Sequence, residues 1–187
     1  MQTLSLHIAD WNETQIIEGC VAGNRNSQAM LYHHFSSKMM GVCMRYSNNY
    51  HTAEDILQEG FIKVFTYIEK YRGEGSFEGW IRRIFVNTAI EHFRKNSKMY
   101  ATDDLQSVES SIINEDAVSN LSAKDLVSYI QQMSPGYRTI FNMYVVEGYS
   151  HKEIAQMLGI SEGTSKSQLA RARGLLQKLI TGKNEIL

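Results

Sequence analysis

Ser150–Lys178 reads SHKEIAQMLGISEGTSKSQLARARGLLQK, and its punctuation predicts two helices joined by a tight turn. Ser150 and Glu153 have the spacing of a capping box, in which a serine oxygen and a glutamate carboxylate satisfy amides that a helix start leaves unpaired. The helix that follows is short, with Ile154, Ala155 and Leu158 on its inner side. Gly159 supplies the residue favoured where a helix ends in the left-handed region. Ser161 caps the next helix, whose inner stripe is Ser165, Leu169, Ala172 and Leu176. That stripe turns Lys166, Ser167, Ala170, Arg171 and Gly174 outward. A short helix, a glycine turn and a longer basic helix form a helix-turn-helix pattern, the second helix of which enters the major groove of duplex DNA.

Working upstream, Ser134-Pro135 predicts an N-cap with proline at the first helical position. Ile140, Phe141, Tyr144 and Val145 continue that helix inward until Gly148 ends it. Further back, Leu57, Phe61, Val64, Phe65 and Ile68 recur at the spacing of one helical stripe, with Asp55, Gln58, Glu59, Ile62, Lys63 and Thr66 on the other side. After the turn-prone Arg72–Ser76, Trp80, Ile81, Ile84, Phe85, Thr88 and His92 face inward, and Arg83, Asn87, Ile90, Glu91 and Arg94 face outward. Residues 98–122 are rich in Ser, Asn, Asp and Glu and poor in aromatics, too polar to bury a core of their own. The predicted fold is all-α: two small helical domains, 10–97 and 123–182, joined by a flexible acidic linker, 98–122, the C-terminal domain being a helix-turn-helix. The 187 residues, 43% hydrophobic, with a single proline, suffice for two such cores.

Net charge is −1, which argues against a protein that merely coats DNA. The charges are segregated nonetheless. From Trp80 to Lys98, Arg82, Arg83, Arg94, Lys95 and Lys98 face only Glu91; from Ser161 to Lys183, Lys166, Arg171, Arg173, Lys178 and Lys183 face only Glu162. Between them, Asp103, Asp104, Glu109, Glu115, Asp116 and Asp125 face only Lys124. Two basic islands flank an acidic stretch, the distribution expected of a protein that touches nucleic acid at two places.

Ser150–Lys178 closely resembles the promoter-reading helix-turn-helix of sigma factors, above all in Gly163-Thr164 and Arg171-Ala172-Arg173. Ala53–Phe65, AEDILQEGFIKVF, resembles the sigma helix that docks on the polymerase clamp, and Tyr71–Lys95, YRGEGSFEGWIRRIFVNTAIEHFRK, resembles the promoter-opening element. The order and the small size resemble the extracytoplasmic-function (ECF) class of the sigma-70 family. The resemblance implies a transcription initiation factor that binds RNA polymerase core, at its clamp and flap surfaces, and directs it to promoter DNA. It implies a polymerase-binding face of Asp55, Gln58, Glu59, Ile62 and Lys63. For the melted minus-ten element it implies Tyr71, Arg72, Phe77, Arg82, Arg83, Asn87, Arg94 and Lys95. For the minus-thirty-five duplex it implies Gly163, Thr164, Lys166, Ser167, Ala170, Arg171, Arg173 and Lys178. An inhibitory anti-sigma protein is the further partner it implies. Ser165 departs from the family pattern, which more often has an aliphatic residue there, and Ala170 stands where some members place a larger reader.

An enzyme is not expected. No HExxH, no Glu followed three residues later by His and no phosphate-gripping Gly-x-x-x-x-Gly-Lys occurs, and His7, His51, His92 and His151 are isolated. No cofactor, metal or small-molecule substrate is expected. Cys20 and Cys43 form no Cys-x-x-Cys pair and read as buried, reduced thiols. Without a leader-like start or a run of eighteen apolar residues, the expected location is the cytoplasm, with no membrane insertion. The rival reading is a helix-turn-helix regulator that is not a polymerase subunit; the Asp55–Lys63 face separates the two, because a plain repressor does not need it.

Overall fold

The computed structural model describes residues 11–100 and 123–184, and among these there is no strand. The helices are α1 (Glu13–Val21), α2 (Arg25–Tyr46), α3 (Tyr50–Tyr67), α4 (Phe77–Tyr100), α5 (Ala123–Gln132), α6 (Pro135–Phe141), α7 (His151–Leu158) and α8 (Glu162–Asn184). A 3-10 turn, Ile68–Lys70, follows α3, and a π-helical turn, Asn142–Val146, follows α6. α4 runs three residues into the segment read as linker, at 98–100; the rest of that segment, 101–122, lies outside the described residues.

Asparagines start the first three helices. The Asn12, Asn24 and Asn49 side-chain oxygens accept from the amides of Gln15 (3.2 Å), Ser27 (3.1 Å) and Thr52 (2.8 Å), the N-cap geometry that short polar side chains provide. The chain packs as two compact units, one formed by the described residues of Met1–Cys43 and Glu54–Thr88, the other by those of Met44–Ala53 and Ala89–Leu187.

In the first unit, Leu31, Phe35 and Met39 of α2 are buried, as are Leu57, Phe61 and Val64 of α3 and Phe77, Ile81 and Phe85 of α4. Phe35 meets Phe77 and Phe61 meets Phe85 edge-on, with ring centroids 5.9 and 5.1 Å apart, a geometry aromatic quadrupoles favour. The predicted α3 stripe is buried, except that Phe65 is half-buried. Gly60 allows a close approach: a β-carbon there would fall on the Phe85 ring.

The second unit is organised by α8, which packs on α5, α6 and α7. Ile130, Met133, Ile140, Met143, Ile154, Leu169, Ala172, Leu176 and Ile180 form its core. Inside it lies Arg138, only 2% exposed, whose guanidinium donates to the carbonyls of Ser47 (3.0 Å) and Gln131 (2.9 Å). The Asn142 amide donates to the carbonyls of Arg45 (2.7 Å) and Arg138 (2.9 Å), and the Gln131 amide to that of Met44 (3.1 Å). Arg45 and Glu147 form an ion pair at 3.6 Å.

Three expected orientations change. The π turn, closed by the Glu147 amide on the Asn142 carbonyl (3.0 Å), rotates Val145 and Val146 outward, so both are exposed where Val145 had been expected inside. Ile90, expected on the outer face of α4, is 3% exposed because the buried arc widens to take in Val86, Ala89 and Ile90. Gly174, expected outward, is buried between Ala172 and Leu176 of the inner stripe. Ser134 holds the N-cap position before Pro135, but its hydroxyl makes no capping bond.

Arg138→Leu leaves the Ser47 and Gln131 carbonyls without this donor. It should lower stability by about 1–3 kcal/mol, the cost of buried polar groups losing a partner, read as a lower urea midpoint at unchanged slope.

Candidate functional site

Three surfaces carry the residues singled out above. On α3, Asp55 and Gln58 are exposed, and Ile62, 66% exposed, stands among them. Glu59 and Lys63 close an i,i+4 ion pair at 3.1 Å. The helix therefore presents one large apolar side chain ringed by polar groups, the composition of a protein-docking hot spot and its rim.

At the start of α4, Gly73 and Gly75 adopt φ of 74° and 85°, a region glycine enters without penalty. The loop they form is closed by the Tyr71 hydroxyl donating to the Gly75 carbonyl (2.9 Å) and by the Ser76 hydroxyl oxygen accepting from the Gly79 amide (3.1 Å). Tyr71, Phe77 and Trp80 then form an aromatic wall: Phe77 and Trp80 stack at 5.7 Å and 11°, and Tyr71 lies 5.0 and 5.6 Å from them. Phe77 is 0% exposed, so it supports the wall from beneath and leaves the set of contact residues. Trp80, read in the sequence as core, is half-buried. The signal for it was the trio of aromatics bracketing a glycine loop. Arg72 and Arg83 are exposed and Arg82 and Asn87 half-buried, all in the first unit; Arg94 and Lys95, exposed on α4, fall in the second.

The helix-turn-helix is built as its caps predict. The Ser150 hydroxyl accepts from the Glu153 amide (3.3 Å), and the Glu153 carboxylate accepts from the Ser150 amide (2.8 Å) and hydroxyl (2.7 Å). These bonds, the Ser150 hydroxyl first, hold the Glu153 carboxyl below its usual pKa of 4.5. α7 ends at Gly159 with φ 69°. Ser161 caps α8 by accepting from the Thr164 amide (3.0 Å). Gly163, Lys166, Ser167, Ala170, Arg171, Arg173 and Lys178 are exposed and Thr164 half-buried, so one side of α8 carries four cations among small residues, a form that fits a groove lined by phosphates. Ala155 is half-buried rather than fully inside.

Ser165, read in the sequence as an inner-stripe residue, and His151, read as isolated, pair beneath this surface. Ser165 is 0% exposed, and its hydroxyl lies 2.9 Å from His151 Nδ1. The His151 ring stacks on Tyr144 at 4.5 Å and 24°, and the Arg173 guanidinium lies 5.7 Å from the centre of the Tyr144 ring. His151 is held below its ordinary pKa of 6.5 by desolvation first, then by Lys166 and Arg173, with Glu162 opposing. An isolated histidine in the sequence gave no sign of these contacts, because its partners lie on other elements.

Among the described residues no cluster of three or more His, Cys, Asp or Glu is placed to hold a metal ion, and no helix is long and apolar enough to cross a membrane. Cys20 and Cys43 are buried, and burial pushes the Cys20 thiol up to about 11, which removes the nucleophilic thiolate at neutral pH.

The chain matches the family described as Sigma-70 region 2 over residues 31–99 and that described as Sigma-70, region 4 over residues 123–176. The ECF RNA polymerase sigma factor SigW of Bacillus subtilis is 30% identical over 168 residues, spanning 83% of this chain and 90% of that protein. The RNA polymerase sigma-H factor of Pseudomonas aeruginosa is 24% identical over 185 residues, spanning 90% of this chain and 93% of that one. Among solved structures, the sigma factor RpoE of Bartonella quintana, in complex with the anti-sigma factor NepR, is 22% identical and covers 82% of this chain and 96% of its own, with a TM-score of 0.49. Region 2 followed by region 4 defines a sigma-70 transcription initiation factor, a non-catalytic protein that brings RNA polymerase to promoters. This chain belongs to the ECF class of that family.

Ser150→Ala removes the hydroxyl half of the capping box. It should cost about 1 kcal/mol near neutral pH, seen as a lower thermal midpoint. Because Glu153 has its pKa lowered on folding, its share of stability is present above 4.5 and lost as pH falls through the folded value. The gap between the two proteins should therefore narrow on acidification below 4.5.

Proposed function

We propose that the three surfaces divide the work of initiation. The α3 face of Asp55, Gln58, Glu59, Ile62 and Lys63 docks on the clamp of RNA polymerase core, Ile62 entering an apolar pocket while the charged rim sets orientation. The loop and helix from Tyr71 to Lys95 take the melted minus-ten strand. Arg72, Arg82, Arg83, Arg94 and Lys95 follow its phosphates, and the Tyr71–Trp80 wall with Asn87 receives an unstacked base, the combination by which single strands are held. α8 reads the minus-thirty-five duplex: Lys166 and Arg171 at base edges or adjacent phosphates, Ser167 and the Gly163-Thr164 amides on phosphate at the helix start, Arg173 and Lys178 along the backbone.

The observation that carries this reading is the exposed Ile62 within a polar ring on a helix that already buries its opposite stripe. A helix-turn-helix regulator acting without polymerase has no use for such a face. On this reading the protein acts in the cytoplasm without catalysing a reaction, its region 4 also meets the polymerase flap, and its partners include an anti-sigma protein, as the RpoE–NepR pair has one.

The test is co-elution of the chain with core enzyme and run-off transcription from a library of genomic fragments. The wild type should form holoenzyme and initiate at a defined set of promoters. D55K/E59K should abolish assembly while helical content, measured by circular dichroism, is unchanged. Tight duplex binding by the free chain together with indifference to core overturns the proposal in favour of the regulator.

A further inference from the structure

Ser165 lies on the inner stripe of α8, otherwise Leu169, Ala172 and Leu176, and is fully buried there. A buried hydroxyl needs a partner, and its partner is the His151 imidazole at 2.9 Å. His151 is the first residue of α7, just after the Ser150 cap, so its backbone is held at a fixed point. Its ring lies on Tyr144 of the π turn, and Tyr144 in turn underlies the guanidinium of Arg173. Ser165 and Arg173 are about two turns apart on α8, roughly 12 Å at 1.5 Å per residue. Between them stand Lys166, Ser167, Ala170 and Arg171.

We infer that His151 is a positioning residue for DNA reading: through Ser165 and through Tyr144 and Arg173 it braces α8 at two points on either side of Lys166 and Arg171, and promoter affinity depends on the state of its ring. The inference rests on α8 being the duplex-reading helix. Where an aliphatic residue at position 165 would hold α8 by packing alone, this chain holds it by a directional bond to a titratable group. The charged groups that reach the ring from α8 are Lys166, Arg173 and Glu162; the π turn contributes Tyr144, and α7 itself carries Lys152 and Glu153 beside it. Lys166 and Arg173 disfavour the imidazolium in the free protein. Phosphates seated on those two cations offset their field, so the imidazolium becomes easier to form in the complex. Binding then takes up a proton, and affinity rises as pH falls, by linkage.

The experiment uses holoenzyme and a fluorescein-labelled duplex of a promoter fragment that the holoenzyme transcribes, with affinity measured by anisotropy from pH 8 to 6. Wild-type affinity should rise about three- to tenfold over that range, up to the tenfold that a one-unit change in pKa permits. His151→Ala should lose about tenfold at pH 6.5 and flatten the pH dependence, since the bond to Ser165 of α8 and the ring contact with Tyr144 go with it. His151→Asn places an amide near the position of Nδ1; it should recover most of the affinity but keep the flat profile, which a purely structural role would not separate. As a measurement needing no variant, the His151 titration followed by NMR in the labelled chain should move upward when the duplex is added. His151→Ala with wild-type affinity and slope, or a His151 titration unmoved by duplex, overturns the inference. Lys166→Ala serves as the control for the underlying reading: if it binds as wild type, the assignment of α8 as reader fails, whereas loss there with unchanged His151 variants sinks only the role of His151.

Discussion

A helix has one face to bury and keeps the other, and in a chain this small the choice governs everything else. Each unit commits the inner stripe of its helices to a core of Phe, Ile, Leu and Met, since apolar burial is the dominant favourable term in folding. What is left outside is then free to be chosen by chemistry: an isoleucine in a charged ring on α3, arginines on α4, lysines and arginines among small residues on α8. The outer faces belong to different helices with different partners in the core, which is how one short chain presents several unlike surfaces.

Within the second unit, polar groups are buried in two ways. Arg138 and Asn142 close off carbonyls at Arg45, Ser47, Gln131 and Arg138, so these backbone acceptors keep donors inside the core. His151 and Ser165 pair two side chains instead, and side-chain pairs are the minority class of protein hydrogen bonds. The first arrangement is indifferent to pH near neutrality; the second contains an imidazole and is not.

Local signals were legible in the sequence and long-range ones were not. Ser150, Glu153, Gly159 and Ser161 each act within four residues of their own position, and the structure places each cap where the spacing called for it. The α3 stripe was readable because a single core covers it. α4 was only half readable: it serves the first unit up to Thr88 and the second from Ala89, so a stripe drawn for one core misplaces Ile90. The π turn widens the helix by one residue, which shifts every facing after Asn142 and turns Val145 outward. The Arg138–Ser47 and Tyr144–His151 contacts join residues far apart or on separate elements, and no periodicity announces them. At the candidate site, the cations of α4 and α8 stood out in the sequence by their clustering, whereas the contacts of Trp80, Tyr144 and His151 were visible only once their rings were seen against their neighbours.

Gly60 lets the Phe85 ring of α4 press against α3 where a β-carbon would lie 2.3 Å from it. The α3 face and the Tyr71–Trp80 wall sit in the same unit, so a missing methyl group sets the gauge between them. A side chain at that position would act as a shim, tilting one face relative to the other even where the core repacked without loss. The register between the α3 face and the Tyr71–Trp80 wall is therefore encoded by an atom the sequence withholds.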